Sequence, residues 1–485
     1  VAPNEPQQGG VLRIAMPDGV TSLDPSTLVT TADISYGFMV YDTLTRRSEG
    51  EPGSPLYPQL AESWEMSDDA LTYTFYLRQG VTFHHGSPFT AQDVAFTLQR
   101  LLDPDLGLSL RSTLSVIDRV EIVDDHTIIF YLTRPSVTLP YLLSSPGTQI
   151  LPHDRTDEQR TTEPSGTGPF RFVENTPGER VVMARNENYW EAGLPYVDEV
   201  HFLEIPEAAT QIASLTSGAV DVIAQVGIEN LPALTAAEGI QILESMQGTY
   251  PLFAMNVTAE PFDDLRVRQA FKHAIDRNAL QQVILQGRGI VLNDQPVTPA
   301  SPLWAEIPAL DYDVEKAKSL LAEAGYADGL EVTLSIAEVT PRIVDAAVVI
   351  QAMLQEVGVT VNLNRVPMGA YWSEHYMQAP FFVSYWGSLG EPDMQLSMAY
   401  VTGGSFNESG WSDPRVDALV AESRGEGDLT MRKEQSAEIQ QIISHEGGVI
   451  IPYLMPILAA ARDNVRGFVP STFIYGQFIW LDSGN

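Results

Sequence analysis

The stretch EVTLSIAEVTPRIVDAAVVIQAMLQEVGVTVNLN, residues 331–364, decides the fold. Residues 331–336 read as a strand. A helix is predicted over 341–357, with Pro341 at its start and Gly358 just past its end, the usual placement of these two residues. Residues 359–364 read as the next strand. A strand, a helix and a strand in that order argue for an α/β domain with parallel pairing.

The same alternation continues outward. FFVSYW, 381–386, is a further apolar strand. Upstream, Asp313 is placed to cap a helix that carries Ala317, Leu320 and Leu321 and stops at Gly325. Residues 266–287 read as one helix with Val267, Phe271, Ala274 and Ile275 on one face. Downstream, SDP at 412–414 starts a helix and 429–446 gives another. The amino-terminal half has a different texture. VLRIAM (11–16) reads as a strand, LTYTFYLR (71–78) alternates as a half-buried strand should, and 120–132 reads as two strands around the turn pair Asp124-Asp125. TAQD at 90–93 resembles a capping box with Asp in place of Glu, and the helix behind it puts Val94, Leu98 and Leu101 on one face.

The chain has 485 residues, with 28 Lys and Arg against 63 Asp and Glu, a formal charge of −35. Such a field repels nucleic acid and anionic headgroups, so neither is expected as a partner. There are no cysteines, which excludes disulfides, thiolate metal sites and cysteine nucleophiles. The best apolar stretch, 449–461, holds Pro452 and Pro456 and is too short to span a bilayer. The opening VAPNEPQQGG, residues 1–10, reads as a flexible tether. The chain begins at Val1 without the n- and h-regions of a signal segment, as expected either after such a segment has been removed or where the sequence has been trimmed. No GxxxxGK[ST] loop, HExxH helix or GxSxG elbow is present. His84 and His85 are adjacent and so point apart on a strand, a poor chelate. Nothing in the sequence calls for a catalytic residue, a metal or a cofactor.

Five segments in order carry a resemblance. They are LAESW (60–64) with YTFYLRQGVTFHHG (73–86) and TAQDV (90–94); GTGPF (166–170) with NENYW (186–190) and PYVD (195–198); GAVDV (218–222); MN (255–256) with PFDDLRVRQAF (261–271) and AIDR (274–277); and Tyr312 through AGY (324–326). Together they resemble the family 5 extracytoplasmic solute-binding proteins of ABC importers, the oligopeptide-, dipeptide- and nickel-binding group. His85 stands where the family usually has an Asp, at a turn.

The resemblance implies an α/β, two-lobed periplasmic-binding-protein-like fold with a hinge and an extra subdomain inserted in lobe I. Carried over, lobe I is 11–43, 166–252 and 464–485, the insertion is 44–165, and lobe II is 253–463. It implies a monomer outside the cytoplasm, periplasmic or lipid-anchored, that captures a peptide or peptide-like solute between its lobes and delivers it to an ABC permease in the membrane. An oligosaccharide or other non-peptide solute in the same fold is the alternative, and a secreted enzyme a remote one.

Ligand-facing residues follow from the same resemblance. One segment lies after LDP (23–25), namely Val29, Thr30 and Thr31, where an extended ligand backbone could pair as an added strand. The spacing from Asp24 to Leu44 matches the family without a gap. A second is Tyr385, Trp386, Gly387, Ser388 and Leu389 at a strand end, with Trp386 matching a tryptophan common in the family's cleft. Arg342 lies close to where dipeptide-binding relatives carry an arginine for the ligand carboxylate. Trp372, with Tyr371, is a further wall candidate. Many peptide-binding relatives carry an aspartate three residues after the tryptophan, paired with the ligand's ammonium. Here that position is Leu389, and Glu391 and Asp393 are the nearest substitutes.

Overall fold

The computed structural model describes residues 5–48, 55–308, 310–387 and 391–482. They form two compact units, one from 5–48, 55–245 and 457–482, the other from 246–456. The first unit is built on a sheet of seven strands, in the order Ile240–Ser245, Ile457–Arg462, Val222–Ile223, Val11–Met16, Glu199–Glu204, Arg180–Arg185, Phe170–Thr176. Val11–Met16 runs parallel to both its neighbours. Leu12, Ile14 and Met16 enter a core with Tyr36, Met39, Phe170 and Phe202. Ala15 enters a second core with Leu215, Ile223 and Leu234. Both sheet faces are therefore covered, as a strand with parallel neighbours requires.

Two expectations need correction in this unit. Ile457–Arg462 pairs antiparallel with Ile240–Ser245 from Ile240↔Arg462 to Ser245↔Ile457. Residues 457–462 thus belong here and not with 253–463, while 246–252 fall in the second unit, where Thr249–Met255 pairs with Phe381–Gly387. Both expected boundaries lie about seven residues too late, the first of them inside the strand Thr249–Met255. The tether is also shorter than 1–10. Gln8 donates to the Gly193 carbonyl (2.8 Å), Gly9 N–H to Tyr196 (2.8 Å), and Gly10 N–H to the Asp198 carboxylate (2.9 Å).

Within 44–165, Ala61–Met66, Thr72–Leu77, Thr127–Leu132 and Ile117–Asp124 form a four-stranded antiparallel sheet with its own core. Helix Ala91–Leu102 covers it with Val94, Leu98 and Leu101 beside Phe75 and Phe130. Its start is fixed by Asp93, whose carboxylate accepts the Thr90 N–H at 2.8 Å. Asp42 ties this sheet to the rest of the unit. Its buried carboxylate accepts from Gln59 (2.6 Å), Trp190 Nε1 (2.9 Å) and Thr167 (3.0 Å). The glycines of GTGPF let the backbone approach. A Cβ on Gly166 would lie 2.1 Å from the Val40 carbonyl oxygen.

The second unit has a five-stranded sheet, in the order Val359–Arg365, Leu330–Ile336, Phe381–Gly387, Thr249–Met255, Val449–Ile450. Leu330–Ile336 and Val359–Arg365 are parallel, joined by helix Ile343–Glu356, as residues 331–364 predict. The helix starts two residues later than expected. Arg342 takes a left-handed conformation (φ 61°), and the Ile343 N–H bonds back to Thr340, so Pro341 sits in the preceding turn. The helix expected over 266–287 is two, Leu265–His273 and Arg277–Leu285, because Asp276 turns out of the helix and caps the second through the Ala279 N–H at 2.9 Å. Among the described residues no helix is long and apolar enough to cross a membrane.

Candidate functional site

The strand Phe381–Gly387 carries most of the candidate residues. Phe381, Phe382, Val383 and Ser384 are buried between the neighbouring strands and helices. Beyond them the strand surfaces: Tyr385 is 41% exposed, and Trp386 and Gly387 are half-buried. Ser388 and Leu389 lie outside the described residues.

Helix Met368–Glu374 packs beside this strand through Tyr371, which is core rather than wall. Its hydroxyl donates to the Val383 carbonyl and accepts the Val383 N–H at 3.0 Å. The next residue, Trp372, is 42% exposed, and its ring meets Tyr376 edge-on at 5.0 Å.

Beneath these rings lies a residue that sequence reading missed. Glu408 is 5% exposed. Its Oε1 accepts the Tyr376 hydroxyl at 3.0 Å and the Ser384 hydroxyl; its Oε2 accepts Trp386 Nε1–H at 3.2 Å. Trp386 in turn meets Phe406 edge-on at 6.2 Å. Burial raises the Glu408 carboxyl above the ordinary glutamate range, against the pull of its three donors. Its surroundings in sequence, SFNESG, are those of an exposed polar loop, so only the folded structure reveals it.

The other sequence candidates fall as follows. Arg342 pairs with Asp345 at 3.1 Å. Val29 is 82% exposed, Thr30 caps helix Thr31–Val40, and Thr31 is half-buried. Three backbone groups of this segment are already engaged within the chain. The Val29 and Thr30 N–H groups already donate to Asp33 (3.1 and 3.0 Å), and the Thr30 carbonyl accepts Ile34. Glu391 is engaged by Arg432 (2.9 Å) and Asp393 by Arg424 (2.8 Å). His84 bonds the Gly168 carbonyl, and His85 bonds Ser165 and Asp154. Among the described residues no group of three or more His, Cys, Asp or Glu is placed to hold a metal.

Comparison with known proteins bears on this arrangement. The heme-binding protein A of Haemophilus influenzae is 31% identical over 90% of this chain and 86% of its own. The solved structure of HbpA2 from Haemophilus parasuis superposes with a TM-score of 0.89 at 26% identity, covering 98% of this chain and all of that one. The ABC transporter-associated periplasmic binding protein DppA from Helicobacter pylori, solved with the peptide STSA, gives 0.78 at 25% identity, covering 98% and 99%. These are two-lobed periplasmic binding proteins, and the α/β architecture here matches theirs. Residues 55–407 match the model of the bacterial extracellular solute-binding proteins, family 5, and this chain belongs to that family.

Proposed function

We propose that this chain is the extracytoplasmic substrate-binding component of an ABC importer and that it captures a peptide-like solute lacking a free amino terminus. Membership of a solute-binding family supports capture and delivery to a membrane permease, without turnover of the solute. The heme- and peptide-binding relatives fit a bulky organic solute. A permease distinguishes loaded from empty protein only if the solute binds one conformation better than another.

One observation carries the ligand class. The two acids nearest after Trp386 in the chain, Glu391 and Asp393, already pair with Arg432 and Arg424, and Glu408, which has no cation among the described residues, is 5% exposed and already accepts three donors. A desolvated ammonium needs its own counter-charge, and here neither Glu391 nor Asp393 is free to supply it. The proposed contact residues of the second unit are Tyr385, Trp386, Gly387, Trp372 and Arg342, and those of the first unit, taken by itself, are Val29, Thr30 and Thr31.

Mass spectrometry of solute released from the denatured protein identifies the natural ligand. Calorimetry with matched tripeptides, free and N-acetylated, tests the class. The acetylated form is expected to bind at least as tightly as the free one. Trp386→Ala is expected to weaken that binding by about 30-fold while melting changes little, as for an aromatic contact residue. A clear preference for the free amine, abolished by Glu391→Gln or Asp393→Asn, overturns the reading.

A further inference from the structure

The aromatic side chains around Trp386 fall into two arms. Trp372 packs on Tyr376, and Phe406 packs on Trp386. Trp372 and Phe406 are 42% and 40% exposed, so the arms reach solvent. Their inner members, Tyr376 and Trp386, meet at one buried group, the Glu408 carboxylate. We propose that Glu408 is a positioning residue for solute binding: it holds the Trp386 indole and the Tyr376 phenol in fixed register beneath the exposed rings. The inference rests on the proposed contact residues above and adds to them one that touches no solute.

The hydrogen bonds specify the role. An indole N–H only donates, so Trp386 needs an acceptor at this point. Tyr376 and Ser384 donate to the other oxygen. Among the described residues no arginine, lysine or histidine is ion-paired with Glu408. The titratable groups that feel its charge are the phenols of Tyr250, Tyr371, Tyr376 and Tyr400, from the adjoining strand and helices. The carboxylate is therefore held by neutral dipoles alone. Protonation removes the charge but leaves an oxygen to accept the indole N–H, so the Trp386 N–H reports the change of charge as pH falls.

Two substitutions separate the charge from the acceptor. In Glu408→Gln the amide oxygen can accept the indole N–H while its NH2 donates to the two hydroxyls, leaving the geometry intact and the charge absent. Glu408→Leu removes every acceptor and leaves the Trp386, Tyr376 and Ser384 donors unpaired, so it is expected to lower Tm as well as affinity.

The first readout needs no ligand. With 15N-labelled tryptophan, the protein gives indole N–H resonances from seven tryptophans. The resonance missing in Trp386→Phe is expected to shift as pH falls from about 8 to about 4, and to stay fixed in Glu408→Gln. The second readout is affinity for the N-acetylated tripeptide. Measured where each protein is folded, Glu408→Leu is expected to bind about tenfold weaker or worse, and Glu408→Gln within about threefold of wild type with its Tm nearly unchanged. A Trp386 resonance indifferent to pH and to Glu408→Gln, or a Glu408→Leu protein that binds normally, overturns the proposal. A wild-type protein that ignores the tripeptide counts against the ligand class instead, and the resonance still decides the role of Glu408.

Discussion

Asp294 has no exposed surface, and Arg277 and Lys272 close around it. Arg277 Nη2 lies 2.6 Å from its Oδ2, Lys272 Nζ lies at 3.9 Å, and the Ile451 N–H donates to Oδ1 at 2.9 Å. Removing the anion strands two buried cations, so Asp294→Ala is expected to cost about 3–5 kcal/mol in urea denaturation. Lys272 behaves differently. Burial, against the pull of Asp294, lowers its ammonium to about 8. Between pH 8 and its ordinary 10.5 the unfolded chain binds more protons, so this lysine penalises the fold below about 8 and the penalty fades as pH rises. Lys272→Met is therefore expected to be neutral or stabilising at pH 7. An Asp294→Ala protein as stable as wild type would show that the cluster contributes nothing. Arg277 was visible in the sequence only as the last letter of the AIDR motif. Its partner Asp294 gave no signal, since the left-handed backbone (φ 58°) that aims it inward is set by tertiary packing. Glu408 was hidden for the same reason. Trp386 could be singled out as a candidate because the strand 381–386 reads locally and the resemblance marks its tryptophan.

Elements were legible where local chemistry marks them and illegible where it competes. The 331–364 pattern gave strand, helix and strand because alternation and Gly358 act within a few residues. The split at Asp276 was missed because apolar spacing runs on through the cap. The segment before helix Thr31–Val40 shows how a cap reaches further than a sequence pattern suggests. Asp33 accepts N–H groups from Thr21 (2.6 Å), Ser22 (3.1 Å), Val29 and Thr30, and Thr30 returns a bond to the Asp33 N–H at 2.9 Å. Burial alone would raise this carboxyl, but the backbone donors outweigh it and hold it below the usual aspartate range. Its contribution is thus complete above about pH 4 and is lost as pH falls through the depressed value. Asp33→Asn leaves one oxygen where two served, and is expected to cost about 1–3 kcal/mol. Hydrogen exchange is expected to accelerate across 20–31 while the strand Val11–Met16 stays protected. Unchanged exchange at Val29 and Thr30 would show that Asp33 does not organise the segment.

At the scale of the whole molecule, the chain leaves the first unit after Ser245 and returns at Ile457, which are paired partners on neighbouring strands. The resemblance made two units legible, but not the strand at which each begins, because 457–462 and 449–450 are alike in composition and only their partners differ. Among the described residues the second unit comes from 246–456 alone, whereas the first is assembled from separated pieces. All five strands of its sheet, the core from Tyr250 to Leu454, and the Asp294 cluster lie within 246–456. A segment of this length buries enough apolar surface to be stable alone. Residues 246–456 expressed by themselves are therefore expected to melt cooperatively and to keep the Trp386 indole resonance at its full-length position, since Glu408, Tyr376 and Ser384 travel with it. The first unit's outer pieces, 5–245 and 457–482, are expected to need each other, because Ile457–Arg462 is an interior strand of the seven-stranded sheet. A non-cooperative 246–456, or one with the Trp386 resonance moved to a solvent-exposed value, would show that the aromatic site depends on residues outside this unit.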